Sequence, residues 1–242
     1  MILKDKHVVL TGASSGIGRE IALTLGGENR LELLGRDIES LENLAVRFPN
    51  SNAWQCDLSQ RGEVEQTARK LTERCEQPID IIILNAAVQT PQSLSTPSFD
   101  MDTAETELTI NFLSICSLIN QLLPFLPKGA VIALVNTGLA IAPKKSSPIY
   151  CASKAALRSL GHSLSYDLTP RGIHIRQIYL PLVDTPMTQG RGSKKITAEY
   201  AARSVLQGIE GKREETFVGK TAILWWLSRI APRVARKILA NQ

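Results

Sequence analysis

Apolar residues fall along the chain in short, compact blocks separated by longer stretches of mixed character. The blocks His7–Thr11, Leu31–Leu34, Ile79–Leu84, Ala130–Val135 and Ile173–Tyr179 are dominated by Val, Ile, Leu and Ala. Blocks of this kind read as strands buried on both faces, because a strand with one wet face alternates apolar and polar residues. Between them lie the helical stretches Ile17–Leu25, Ile38–Phe48, Val64–Cys75, Thr103–Leu126 and Tyr150–Leu168. Strand and helix thus alternate. That predicts an α/β fold, a doubly wound parallel sheet of about seven strands with helices on both faces. Asn52–Cys56 is more polar, as expected nearer a sheet edge, and Glu215–Val218 is a candidate seventh strand. No repeat, low-complexity tract or long linker interrupts the pattern, so one domain is expected over residues 1–242. Ligands of such sheets bind beyond the carboxyl ends of the strands, where unusual residues should gather.

Composition adds exclusions. With 43% hydrophobic and 21% charged residues the chain can bury a full core, which argues against disorder. No uninterrupted apolar run approaches the ~18 residues of a membrane span. The start, Met1 to Lys6, is too polar and too short for a signal peptide. Cys56, Cys75, Cys116 and Cys151 lack metal-ligand spacing and the three histidines are scattered. No metal site or disulfide framework is expected, and free thiols suit a reducing cytoplasm. The net charge of +5 resides in the tail: Lys220, Arg229, Arg233, Arg236 and Lys237 face no acidic residue after position 219. Removing these five from 28 leaves 23 basic residues against 23 acidic ones. A body without net charge argues against a nucleic-acid binder.

The first block runs into Gly12-Ala13-Ser14-Ser15-Gly16-Ile17-Gly18, and a helix follows. Glycines permit a tight turn and close backbone approach, and the helix N-terminus offers free N–H groups to a pyrophosphate. Placed between strand one and helix one, this is a dinucleotide-binding signal. Far downstream, Tyr150 and Lys154 stand four residues apart on one helix face. A tyrosine of ordinary pKa is a poor acid–base catalyst near neutrality, and an adjacent ammonium lowers that value.

With Thr11-Gly12-x-x-x-Gly16-x-Gly18 and Tyr150-Cys151-Ala152-Ser153-Lys154, the chain resembles the short-chain dehydrogenase/reductase family from about residue 5 to 219. The resemblance implies an NAD(P)-dependent oxidoreductase that passes hydride between a nicotinamide and a carbonyl or secondary alcohol. It implies a catalytic set of Asn111, Thr137, Tyr150 and Lys154, with Lys154 also on the nicotinamide ribose. It implies a homodimer or homotetramer built on helices 103–126 and 150–168. The substrate is a small molecule that the resemblance leaves unnamed.

Several positions depart from the family pattern or refine it. The acidic position that selects NAD falls on Gly35, with Arg36 next, so NADP(H) is favoured over NAD(H). Asp37 lies one residue on, and the alternative for Arg36 is a solvated side chain. Asp57 and Leu58 are implied at the adenine, although Asp57-Leu58-Ser59 also fits a local capping turn. Asn85 and Ala86 are implied beside the cofactor, in Leu84-Asn85-Ala86-Ala87 where the family reads Asn-Asn-Ala-Gly. Thr137, thirteen positions before Tyr150, stands where the family has Ser and keeps the hydroxyl. Asn111 is implied at a helix irregularity holding a proton-relay water to Lys154; the plain alternative is a satisfied core amide. Val183 and Thr185 are implied at the carboxamide, after a Leu180-Pro181 that replaces Pro-Gly and loses an N–H. Gln189–Lys195 reads as a mobile substrate lid. Lys144 and Lys145 favour an anionic substrate or form a solvated loop.

In the tail, Ile223, Leu227, Ile230, Val234 and Ile238 follow helical spacing with the basic residues on another face. Pro232 predicts two short helices with a kink. Their apolar face either packs on the enzyme or a second subunit, closing the substrate pocket, or touches a membrane surface. A catalytically weak nucleotide-binding scaffold of the same fold is the alternative to an enzyme.

Overall fold

The computed structural model describes residues 1–74 and 77–240. Cys75, the expected end of the third helix, and the last two residues of the tail lie outside them. The chain runs β1 (His7–Thr11), α1 (Gly16–Leu25), β2 (Arg30–Gly35), α2 (Ile38–Ala45), β3 (Ser51–Gln55), α3 (Arg61–Glu73) and β4 (Ile81–Leu84). It continues with α4 (Met101–Leu108), α5 (Ser114–Leu122), β5 (Val131–Thr137), α6 (Pro148–Leu168), β6 (His174–Leu180), β7 (Val183–Asp184), β8 (Ile196–Thr197), α7 (Ala198–Glu210) and β9 (Glu215–Phe217). Helices α8 (Lys220–Ile230) and α9 (Pro232–Ala240) complete it.

Seven strands form one parallel sheet in the order β3-β2-β1-β4-β5-β6-β9, with the polar β3 at one edge as its composition predicts. Side chains alternate between two cores. Val8, Leu10, Ile81 and Ile83 pack toward α1, α2 and α7. Val9, Ile82, Leu84 and Ile132 pack toward α3, α5 and α6. The strand order reverses direction between β1 and β4, and a crevice opens there at the carboxyl ends.

Three features refine the sequence expectation. The helix expected over Thr103–Leu126 carries an irregularity at Asn111, as the resemblance implies: a π turn at Thr109–Leu113 divides it, and the Ser114 N–H reaches the Thr109 carbonyl. Helix α7 was not among the expected helices, although Ala201, Ala202, Val205, Leu206 and Ile209 supply a helical apolar stripe that packs on α1. The β7–β8 pair is too short for a pattern-based prediction.

The absence of a long unbroken apolar run understates one segment. Met101–Phe125 is long and apolar enough, by length and composition, to cross a bilayer. Here Ile110, Ile115, Leu118, Ile119 and Leu122 are buried in the core beneath the sheet, toward α3 and α6, while Met101, Leu108, Leu113 and Phe125 are exposed. The tail forms two helices that meet at Pro232. Leu224, Ala235 and Ala142 make a small separate core with Ile141, Leu227 and Leu239, and the Lys145 N–H bonds the Ala240 carbonyl at 3.2 Å.

Candidate active site

A cavity of about 1100 Å³ lies beyond the carboxyl ends of β1, β2, β4, β5 and β6. At one end Gly12, Ser14, Ser15, Gly16 and Ile17 line it. Gly12 and Gly16 have φ of 70° and 52°, a conformation that glycine adopts at little cost. Gly18 does not line the cavity; a Cβ there would lie 2.1 Å from the Gly12 carbonyl oxygen. Its role is to let α1 start directly beneath the turn. Ser15 caps α1 without a side-chain hydrogen bond, which leaves the first-turn N–H groups to an external anion.

The turn is tied to β4 from both sides. Thr11 Oγ1 accepts the N–H groups of Asn85 and Ala86, each at 3.1 Å. Asn85 Nδ2 donates to the carbonyls of Thr11 at 3.1 Å and Gly12 at 3.4 Å. Asn85 and Ala86 also line the cavity.

At the tip of β2, Gly35, Arg36 and Asp37 line the wall. Asp37 is occupied: its carboxylate caps α2, accepting the Ser40 N–H at 3.1 Å and hydroxyl at 2.5 Å. These hydrogen bonds hold its carboxyl below the ordinary range. Arg36 is exposed, and its guanidinium has no ion pair among the described residues. Asp57 and Leu58 line the cavity as well. Asp57 Oδ1 also accepts the Ser59 N–H at 2.9 Å, so the local turn and the cavity position coexist.

The other end holds Thr137, Tyr150 and Lys154. Tyr150 and Lys154 sit one turn apart near the start of α6, and both are buried. Lys154 Nζ donates to the Val135 carbonyl at 3.1 Å and lies 5.9 Å from the Tyr150 ring centre. Burial lowers the lysine to about 8. Burial also pushes the Tyr150 phenol above its ordinary value, with smaller contributions from Cys151 and Glu107, while Arg191 opposes them. The phenol is thus raised, mainly by burial, where the sequence led to an expectation of lowering by the adjacent ammonium.

Thr137 Oγ1 accepts the Leu139 N–H at 3.3 Å, which leaves its own hydrogen free to donate. Asn136, which the sequence reading passed over, joins β5 to α6. Its Oδ1 accepts the Thr137 N–H at 2.9 Å and its Nδ2 donates to the Lys154 carbonyl at 3.3 Å. A buried amide ending an apolar strand was the available signal.

Asn111 sits in the π turn, fully buried, and does not line the cavity. Its amide exchanges two 2.8 Å bonds with the backbone of Val88 and donates to Ser153 Oγ at 3.2 Å. It braces the segment after β4 against α6, and among the described residues its hydrogen bonds go to Val88 and Ser153.

Val183 and Thr185 line the cavity beside Pro181. The 189–195 segment is fastened in this conformation. Arg191 donates to Gln89 Oε1 at 2.8 Å and to its carbonyl at 3.1 Å, and Lys195 bonds Asp184 at 3.1 Å. Lys144 lines the cavity, whereas Lys145 is exposed. Burial, and then the charge of Arg191, lower the Lys144 pKa. The tail supplies the outer wall through Lys220, Leu224, Ile238 and Leu239.

Among the described residues no group of His, Cys, Asp and Glu is arranged to hold a metal ion. A dinucleotide fits the residues present. Gly18 admits no side chain beneath the turn, Asn85 shapes that turn from β4, and an unpaired cation stands at the tip of β2.

Known proteins agree with this geometry. The short chain dehydrogenase family model matches residues 6–196. The uncharacterized oxidoreductase DltE of Bacillus subtilis is 30% identical over 229 residues, covering 89% of each chain. The fatty acyl-CoA reductase of Acinetobacter baylyi is 30% identical over 248 residues, covering 96% of this chain and 82% of the relative. In fold, the chain matches a Burkholderia cenocepacia short chain dehydrogenase in complex with NADP at TM-score 0.88 and 21% identity, over the whole of both chains. It matches a Sphingobium yanoikuyae short-chain dehydrogenase in complex with NADPH at TM-score 0.82 and 22% identity, covering 98% and 97%. The chain belongs to the short-chain dehydrogenase/reductase family of NAD(P)-dependent oxidoreductases.

Proposed function

We propose that this enzyme reduces a carbonyl compound with NADPH, using Tyr150 as the proton donor. The observation that carries the reading is the buried Tyr150–Lys154 pair beside the Thr137 hydroxyl, in a cavity that begins at a glycine-rich turn. Gly12, Ser14, Ser15, Gly16 and Ile17 bind the pyrophosphate, with Gly18 shaping the turn; Asp57, Leu58, Asn85 and Ala86 border the adenosine half, and Val183 and Thr185 the nicotinamide. When bound, the reduced nicotinamide supplies the hydride. Tyr150 Oη, kept protonated by burial, gives its proton to the carbonyl oxygen, and Thr137 Oγ1 donates a hydrogen bond to the same atom. Lys154 spends one N–H on Val135 and keeps two for the ribose and the phenol oxygen. Asn111 positions α6 through Ser153.

The preference for NADP(H) rests on Arg36, which is unpaired, and on Asp37, whose carboxylate is consumed in capping. Several structural neighbours are NADP or NADPH complexes. Leu182, Leu224, Ile238 and Leu239 give the outer cavity an apolar wall, suited to a substrate with a hydrocarbon portion. Leu108, Leu113 and Tyr166 are exposed on the helices expected to join subunits, which supports a homodimer or homotetramer; sedimentation velocity tests it. The free thiols Cys56, Cys116 and Cys151 suit a cytoplasmic location.

The test follows NADPH and NADH oxidation against a panel of aldehydes and ketones, with wild type and Tyr150→Phe compared. Turnover by wild type, reduced at least about 100-fold in the variant, is expected. Equal turnover by the two proteins would overturn the assignment. Nucleotide binding by both without turnover of any panel member would favour a scaffold.

A further inference from the structure

The two tail helices do two things at once. Their inner side chains, Leu224, Ala235 and Leu239, pack on the body and wall the cavity. Their outer side chains leave large apolar groups in water. On α8, Ile223, Trp226 and Ile230 are 62%, 60% and 76% exposed and follow helical spacing; on α9, Val234 and Ile238 stand one turn apart and are also exposed. Five large apolar side chains on two short adjoining helices are more than scattered surface residues. The same two helices carry the chain's unbalanced cations. Arg229, Arg233, Arg236 and Lys237 are all exposed, the Arg229 guanidinium stacks 4.4 Å from the Trp225 ring centre, and no acidic residue follows position 219.

Charge decides among occupants. A second copy meeting this face about a two-fold axis would set the same cations against one another. The rest of the chain carries no net charge to attract them. An anionic bilayer satisfies both components: lipid phosphates for the Arg and Lys side chains, and the acyl boundary for Trp226 and its neighbours.

We propose that α8 and α9 form a docking face for anionic membranes. Ile238 belongs both to this face and to the cavity wall, so docking brings the mouth of the cavity to the lipid surface. The inference stands on the surface alone and does not depend on the reaction proposed above.

The experiment uses the full chain. Cosedimentation with vesicles of equal parts phosphatidylglycerol and phosphatidylcholine is compared with vesicles of phosphatidylcholine only, at rising salt. Lipids brominated on the acyl chain report contact through quenching of tryptophan fluorescence. Binding to the anionic vesicles, weakened by salt and accompanied by quenching, is expected. Each removed cation should lower partition about five-fold, so Arg233→Glu, Arg236→Glu and Lys237→Glu together should abolish it. Trp226→Ser should remove most of the quenching. Thermal melting and NADPH binding of the variants establish that they fold. No binding to anionic vesicles at low salt would overturn the proposal. So would equal partition of wild type and the folded triple variant, or a Trp226→Ser variant that dissociates a dimer while vesicles remain unbound.

Discussion

Lys154 Nζ donates to the Val135 carbonyl oxygen at 3.1 Å, from a helix position one turn beyond Tyr150. An ammonium held in that place is removed from water, and its pKa falls from 10.5 to about 8. The folded state therefore binds this proton less tightly than the unfolded chain, so the charged lysine costs stability. The cost is complete below pH about 8 and vanishes as pH rises toward the unfolded value. Lys154→Met is accordingly expected to abolish turnover yet raise stability near neutrality by about 2–3 kcal/mol, less the lost hydrogen bond. Urea denaturation of both proteins at pH 7 and pH 10 checks this, and the difference should shrink at the higher pH. A variant less stable at pH 7 would show that the ammonium is better solvated in the fold than its burial indicates.

Cofactor choice should be reversible at the tip of β2. A Cβ on Gly35 meets Leu41 and Ser14 Oγ at 3.5 and 3.7 Å, ordinary contact distances, so Gly35→Asp fits. Its carboxylate would repel a 2′-phosphate, whereas Arg36→Ala removes the phosphate's cation. Each change should weaken NADPH binding by roughly ten- to a hundred-fold, the worth of a charged hydrogen bond. Gly35→Asp should also strengthen NADH binding. Fluorescence titration with the two nucleotides reads the switch directly.

Gly18 is expected to tolerate nothing larger. The Cβ of Gly18→Ala would lie 2.1 Å from a backbone oxygen and 2.8 Å from Asn85 Nδ2, so either the turn or α1 must move. We expect a loss of about 1–3 kcal/mol of stability and a larger loss of nucleotide affinity. Gly27→Ala is the control, since no atom lies within 4 Å of a Cβ there. Calorimetry of the two variants with and without NADPH separates the effects.

The 189–195 segment is held by two side chains. The Arg191 guanidinium makes both of its hydrogen bonds to Gln89, which follows β4, and Lys195 bonds Asp184 and the Thr188 carbonyl. Arg191→Ala should free this segment, raising KM for the carbonyl substrate several-fold and exposing the segment to trypsin at Lys194 and Lys195. Global stability should change little. Proteolysis rates unchanged from wild type would mean that Lys195, through Asp184, suffices to hold the segment.

Much of this architecture was legible in the sequence because it is written in local periods. Compact apolar blocks such as Ile81–Leu84, alternating with helical stretches, fit the inside of a covered sheet, and the glycines of the turn after His7–Thr11 permit a close backbone approach. The Tyr150–Lys154 spacing puts both groups on one helix face whatever surrounds them. What surrounds them was a tertiary matter. Burial of the site raises the pKa of the Tyr150 phenol, which no local pattern announces. Asp37 caps α2 through Ser40, three residues away, and the Asn111 amide is bonded to Val88 and Ser153. The bond from Arg191 to Gln89 spans 102 residues of chain, and only the folded sheet brings its ends together. Periodicity is a property of neighbouring residues, so sequence alone determined the layers, the turn and the paired helix positions. Charge state, latch and cavity wall depend on what the fold places next to each group and removes from water, and those the tertiary structure decided.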